Sequence, residues 1–174
     1  MGARPVEDVV ANGLDVLFCG INPGMRSAES GHHFAHRSNR FWRVLYESGF
    51  TDRLLAPEDD AGLVDRGLGI VNLVRRPSAS ASELSALELR AGAEALMGTV
   101  RRLEPRAVAV LGLQAYRVAF RAPRAPLGRQ SELIGSSEVW VFPNPSGLQA
   151  RYPVSELVSM FAELRAALGY RAAP

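Results

Sequence analysis

Two asparagines stand where this chain could do chemistry. The first follows an apolar run, in Val16-Leu17-Phe18-Cys19-Gly20-Ile21-Asn22-Pro23-Gly24. Such a run reads as a buried strand, and Asn-Pro-Gly can extend neither a strand nor a helix. A polar amide is thereby held at the carboxyl end of a strand, where open α/β sheets place their ligands. Near the other end, Trp140-Val141-Phe142-Pro143-Asn144-Pro145-Ser146-Gly147-Leu148 repeats the arrangement. Two Asn-Pro strand exits point to one crevice built from both ends of the chain. An amide neither titrates nor attacks; it positions and hydrogen-bonds. Chemistry run on it asks little of a general base, as when water is captured by an oxocarbenium-like centre.

Residue types exclude much else. Lys and Arg together number 20, and every one of them is arginine. Without lysine there is no Schiff base and no P-loop phosphate lysine. No Gly-x-Gly-x-x-Gly follows a strand, and no Gly-x-Ser-x-Gly elbow makes Ser146 a hydrolase nucleophile. His32-His33-x-x-His36 lacks the spacing and companion ligands of a zinc site, so no metal is expected. Glu29 is the one carboxylate near the first loop, and a glycosidase needs two. The single cysteine, Cys19, excludes a disulfide framework and a cysteine-held iron–sulfur cluster; it reads as core. No cofactor is expected.

The elements that must position these groups alternate along the 174 residues. After strand 16–20 and a loop over 22–38, a helix is expected from an N-cap at Ser38 to about Ser48. Gly69–Val74 reads as a second strand ending at Arg75-Arg76-Pro77. A Ser/Ala-rich loop leads to a helix over 85–103, a strand over 107–112 and a helix over 114–120. A Pro/Arg-rich loop at 121–129 precedes a hairpin about Gly135-Ser136 with Glu138–Phe142 as its second arm. A helix over 155–168 closes the series. Strands alternating with helices predict an α/β fold, three-layer α/β/α, with a mostly parallel central sheet of four to five strands in a single domain. The apolar share of 47% and charged share of 22% suit a globular domain. No apolar run approaches the ~20 residues that cross a bilayer, and no signal-peptide pattern leads the chain; no membrane partner and a cytoplasmic location are expected. A formal net charge of +2 is weak evidence for nucleic acid, although Arg37, Arg40, Arg75, Arg76, Arg124, Arg129 and Arg151 fall in or near expected loops and element ends.

Gly20-Ile21-Asn22-Pro23-Gly24 together with Asn144-Pro145-Ser146-Gly147-Leu148 resembles the mismatch-specific uracil/thymine DNA glycosylases. Gly31-His32-His33-Phe34, Asn39-Arg40-Phe41-Trp42, Asn72-Leu73-Val74 and the segment Ala109–Tyr116 agree in colinear order, over nearly the whole chain. The resemblance implies the uracil-DNA glycosylase fold and a monomer acting in base excision repair. Its partner is double-stranded DNA carrying G·U or G·T mismatches. It would flip uracil, thymine or ethenocytosine opposite guanine and hydrolyse the N-glycosidic bond. A non-catalytic sensor of mismatched or abasic DNA on the same fold is the alternative.

The resemblance also implies roles. Asn22 positions the water, with Asn72 and His33 as further catalytic candidates. Gly20, Ile21, Ser27, Phe34, Asn144 and Ser146 line the base site. Phe34 stacks on the flipped base, and Ser27 lies near C5 of the pyrimidine, where its size bears on thymine's methyl. Some bacterial members have lysine at the position of Asn72. Leu148 is the wedge that fills the hole left in the stack. Backbone groups at Gly147 and Gln149 meet the widowed guanine, and Arg151, Arg75 and Arg76 contact phosphates. Animal members carry a different, arginine-containing version of the second turn, so the chain mixes features of both branches.

A glycosylase without lysine has no side-chain amine to form an imine with the abasic sugar. The strand is therefore expected to stay intact at neutral pH after base removal and to break only on alkali treatment. Prompt β-elimination without added amine would contradict this.

Overall fold

Side-chain alternation along a few short strands decides the architecture. The computed structural model describes residues 5–147 and 151–172. In β1 (Val16–Gly20) every residue is buried, so both faces of the strand are covered. Val16 and Phe18 enter one core, Leu17 and Cys19 the other. β2 (Leu68–Asn72), β3 (Ala107–Leu111), β4 (Gly128–Ile134) and β5 (Ser137–Phe142) complete a five-stranded sheet in the order β2-β1-β3-β5-β4. The neighbours β1–β2, β1–β3 and β3–β5 run parallel, whereas the β4–β5 hairpin is antiparallel.

Helices cover both faces. Beneath one lie α2 (Phe41–Glu47) and α5 (Val154–Leu168), which bring Phe41, Leu45, Leu157 and Phe161 onto Phe18, Ile70, Ala109 and Phe142. On the other, α3 (Ala86–Leu103) and α4 (Leu113–Ala119) pack Leu89, Ala93, Leu96 and Tyr116 onto Leu17, Cys19, Val108 and Val110. The result is the α/β/α layering expected from the sequence, with five strands. Burial pushes the Cys19 thiol far up, so it is an inert core group. Among the described residues, no helix is long and apolar enough to cross a membrane.

Several boundaries differ from expectation. The stretch 22–38 is not all loop, because α1 (Met25–Ser30) starts directly after Gly24 and ends at Gly31, whose φ is 79°. At 6 residues it is too short to show a helical period. The helix expected from Ser38 begins at Phe41. Arg40 takes the N-cap position without a side-chain cap; one residue earlier, Asn39 Oδ1 accepts from the Phe41 N–H at 2.9 Å, while Ser38 turns to His36. A 3-10 stretch over Pro57–Arg66 was not foreseen; it buries Asp60 and Leu63. β2 ends at Asn72, two residues early, yet the Leu73 and Val74 N–H groups still donate to Gly20 and Ile21 carbonyls at 2.8 Å. That continuation holds Asn72 beside the exit of β1.

Phe18 is the hub of the larger core, edge-on to Phe41 at 5.4 Å and stacked on Phe161 at 5.5 Å. Truncating it leaves a void bounded by the sheet and two helices. Phe18→Ala is expected to lower unfolding free energy by about 3–5 kcal/mol in urea titration. A loss under about 1 kcal/mol would mean that the aromatic cluster repacks freely.

Candidate active site at the strand ends

The strand order turns at β1: the chain first adds β2 on one side, then β3 on the other. A crevice opens at such a switch point, beyond the carboxyl ends of the strands. Here it is a cavity of about 290 Å³. Each parallel strand delivers a residue to it: Gly20 and Asn22 from β1, Asn72 from β2, Leu111 from β3, Asn144 and Ser146 from β5. The two Asn-Pro exits do face one crevice.

Asn22 is fixed by two hydrogen bonds. Its Nδ2 donates to the Arg76 carbonyl at 2.9 Å and to Ser78 Oγ at 2.7 Å. Ser78 Oγ in turn donates to the Ser80 carbonyl at 2.7 Å, so its hydroxyl proton is spent and it accepts from the amide. A carbonyl cannot donate, which settles which end of the amide is nitrogen. Oδ1 is therefore an acceptor held in one orientation on a residue that lines the cavity.

His33 is buried, 2% exposed. Its Nε2 donates to the Glu7 carbonyl at 2.9 Å, which makes Nδ1 the acceptor, 3.4 Å from Asn72 Nδ2. Desolvation holds its pKa below the ordinary value, so the neutral ring persists. Both ring nitrogens of His33 are thus engaged within the protein, and the ring holds Asn72 where it borders the cavity. Gly20 is glycine because the Asn72 amide presses on it; a Cβ there would lie 2.8 Å from Asn72 Oδ1 and 3.3 Å from Phe34 Cε1.

Phe34 has a φ of 52°, a left-handed conformation costing a side chain about 1–2 kcal/mol. Anchors on both sides hold it there. The His33 N–H donates to Asp60 Oδ2 at 3.0 Å, Trp42 Nε1 to the His33 carbonyl at 3.2 Å, and the Ala35 N–H to Ser27 Oγ at 3.1 Å. The Phe34 ring stacks on Phe41 with centroids 4.2 Å apart and also lines the cavity. Ser27 is buried, borders the cavity and pins the loop through its hydroxyl. Ile21 and Gly20 complete this wall.

In the second turn, Asn144 Oδ1 accepts from the Ser146 N–H at 2.9 Å, an Asx turn that stiffens the strand exit. Gly147 packs on the chain before α2; a Cβ would fall 2.6 Å from the Ser38 carbonyl oxygen. Leu148 and Gln149 lie outside the described residues. Arg151 is exposed, its guanidinium 5.9 Å from the Tyr152 ring centroid. Arg75 and Arg76, expected at phosphates, carry carboxylate partners: Asp8 at 2.7 Å and Glu88 at 2.8 Å. The Arg76 guanidinium pulls the Glu88 carboxyl down to about 2. The three histidines diverge, to Asp60, Glu7 and Ser38, and among the described residues no cluster could hold a metal.

Sequence reasoning missed Ser78 and Asp60. Ser78 hides in a Ser/Ala-rich loop, and Asp60 in an acidic run that reads as solvated charge; neither has a local signal.

A mostly parallel sheet between helices, with its crevice at a switch point lined by amides and an aromatic ring, defines the class: an α/β protein with a concave site at its strand ends. The chain matches the Uracil DNA glycosylase superfamily over residues 7–168 and belongs to it. It is similar to a solution NMR structure described as a "putative Uracil DNA glycosylase" from Methanosarcina acetivorans. The TM-score is 0.61 at 19% identity, over 94% of this chain and 98% of that one, a likeness of fold. Superfamily members are DNA glycosylase hydrolases, and DNA is the partner of the class.

A His held neutral in the fold titrates more easily when unfolded, so the unfolded state binds more protons below its ordinary pKa of 6.5. Stability is fully present above that value and falls as pH drops beneath it. The melting temperature of the wild type is expected to fall more steeply below pH 6.5 than that of His33→Gln. Parallel curves would show that His33 titrates alike in both states.

Proposed function

We propose that the protein is a monofunctional mismatch glycosylase of base excision repair. It removes uracil opposite guanine, and thymine or ethenocytosine through the same pocket, leaving an abasic site. The single observation that carries this is the fixed acceptor of Asn22. Bond cleavage leaves a sugar cation and a base anion. Water held on Asn22 Oδ1 would meet the cation, and because the amide is already locked, no reorganisation is needed when charge develops. The base anion spreads its charge over two carbonyls, so donors suffice and no strong acid is required.

The remaining residues serve that step. A flipped base would stack on Phe34, worth about 1–3 kcal/mol. Asn72 gives one N–H to His33 and keeps a second N–H and Oδ1, a donor–acceptor pair able to read an imide edge. Ser27 would lie toward C5, and its size sets how well thymine is tolerated. Flipping is cheapest for a mispaired base, which is one source of selectivity. Leu148 would fill the vacated stack, with Gly147 and Gln149 backbone groups facing guanine. Arg151 would add phosphate affinity. Arg75 and Arg76 would need to exchange carboxylates for phosphates, a small cost because exposed ion pairs contribute about 0.2–1 kcal/mol.

Asn22→Ala is expected to lower the single-turnover rate on G·U duplex by about a hundred-fold or more, with mismatched-duplex binding retained. A near-wild-type rate would move water positioning to another residue.

A further inference from the structure

The second turn is held from beneath by one side chain with no role so far. Arg40, the residue before α2, donates from its backbone N–H to the Pro145 carbonyl at 3.0 Å and from Nε to the same oxygen at 3.2 Å. Nη1 donates to the Tyr152 carbonyl, and Nη2 lies 3.5 Å from the carbonyls of both Asn144 and Ser146. One guanidinium thus spans the Asn144–Ser146 exit of β5 and Tyr152, just before α5. The neighbouring Ser38 forms the shelf on which Gly147 rests. Partial desolvation lowers the pKa of Arg40 from its ordinary value, as expected for a cation turned into the protein.

We propose that Arg40 is a positioning residue for the second Asn-Pro turn, fixing through its planar fork the backbone that faces duplex DNA. The proposal rests on the glycosylase reading for what the turn does, and on geometry alone for the clamp. The fork matters as well as the charge, because the carbonyls lie in different directions around one planar group. An ammonium is a point charge and cannot serve them all. A residue that instead contacted phosphate would behave oppositely: lysine would replace it, and its loss would flatten the salt dependence of binding.

The test compares wild type, Arg40→Lys and Arg40→Gln by amide hydrogen exchange and by single-turnover cleavage of G·U and A·U duplexes. Both variants are expected to exchange at Ser146 and Gly147 about tenfold faster or more, with the sheet amides unchanged. Both should also lose about a hundred-fold in G·U rate and part of the preference for G·U over A·U. Unchanged exchange in the turn overturns the clamp. So does Arg40→Lys restoring the wild-type rate while Arg40→Gln flattens the salt slope, which would make Arg40 a phosphate contact. Exchange that rises with no change in rate or opposite-base preference overturns the functional half. If wild-type protein cleaves neither duplex, the glycosylase reading fails, and the exchange comparison still decides whether Arg40 holds the turn.

Discussion

The pair of hydrogen bonds from Asn22 Nδ2 is the constraint from which the site follows. They tie the exit of β1 to the chain leaving β2, through the Arg76 carbonyl and Ser78 Oγ. A free amide could present either end to the cavity. This one presents an acceptor only, because its partner is a carbonyl. Pro23 and Gly24 then turn the chain at once into α1, so that Ser27 reaches the cavity from a helix that starts at its rim. A chemistry-bearing side chain that neither ionises nor reacts is thereby made directional by its anchors.

The opposite wall answers to a different balance. Phe34 sits in a strained conformation, and the strain persists because its neighbours are tied to Asp60, Trp42 and Ser27. His33 spends its Nε2 proton on the Glu7 carbonyl and so faces Asn72 as an acceptor. Burial keeps that tautomer pattern intact by disfavouring the cation. A ring and an amide are thus set beside Gly20, at the one position where a Cβ would push both away.

The strands and both Asn-Pro exits were legible because parallel strands buried on two faces are apolar runs, and Gly and Pro mark where they stop. The position of Asn72 at a strand exit was legible for the same reason. Long-range partners were not. Asn22 and Ser78 are 56 residues apart, His33 and Asp60 are 27 apart, and Arg40 and Pro145 are 105 apart. No periodicity or spacing reports such pairs. The carboxylate partners of Arg75 and Arg76 were hidden for the same reason, since Asp8 and Glu88 reach them only in the fold. α1 was missed because a helix of 6 residues shows no period, and the N-cap expected at Ser38 falls two residues later, at Arg40.

The most direct measurement is single-turnover cleavage of end-labelled duplexes bearing G·U, G·T and A·U, with single-stranded U beside them and alkali added to reveal abasic sites. The account predicts rapid alkali-labile scission in the G·U lane, weak scission with A·U, and a G·T rate that reports the fit of thymine's methyl beside Ser27. No scission in any lane, from protein that binds the G·U duplex tightly, would contradict it.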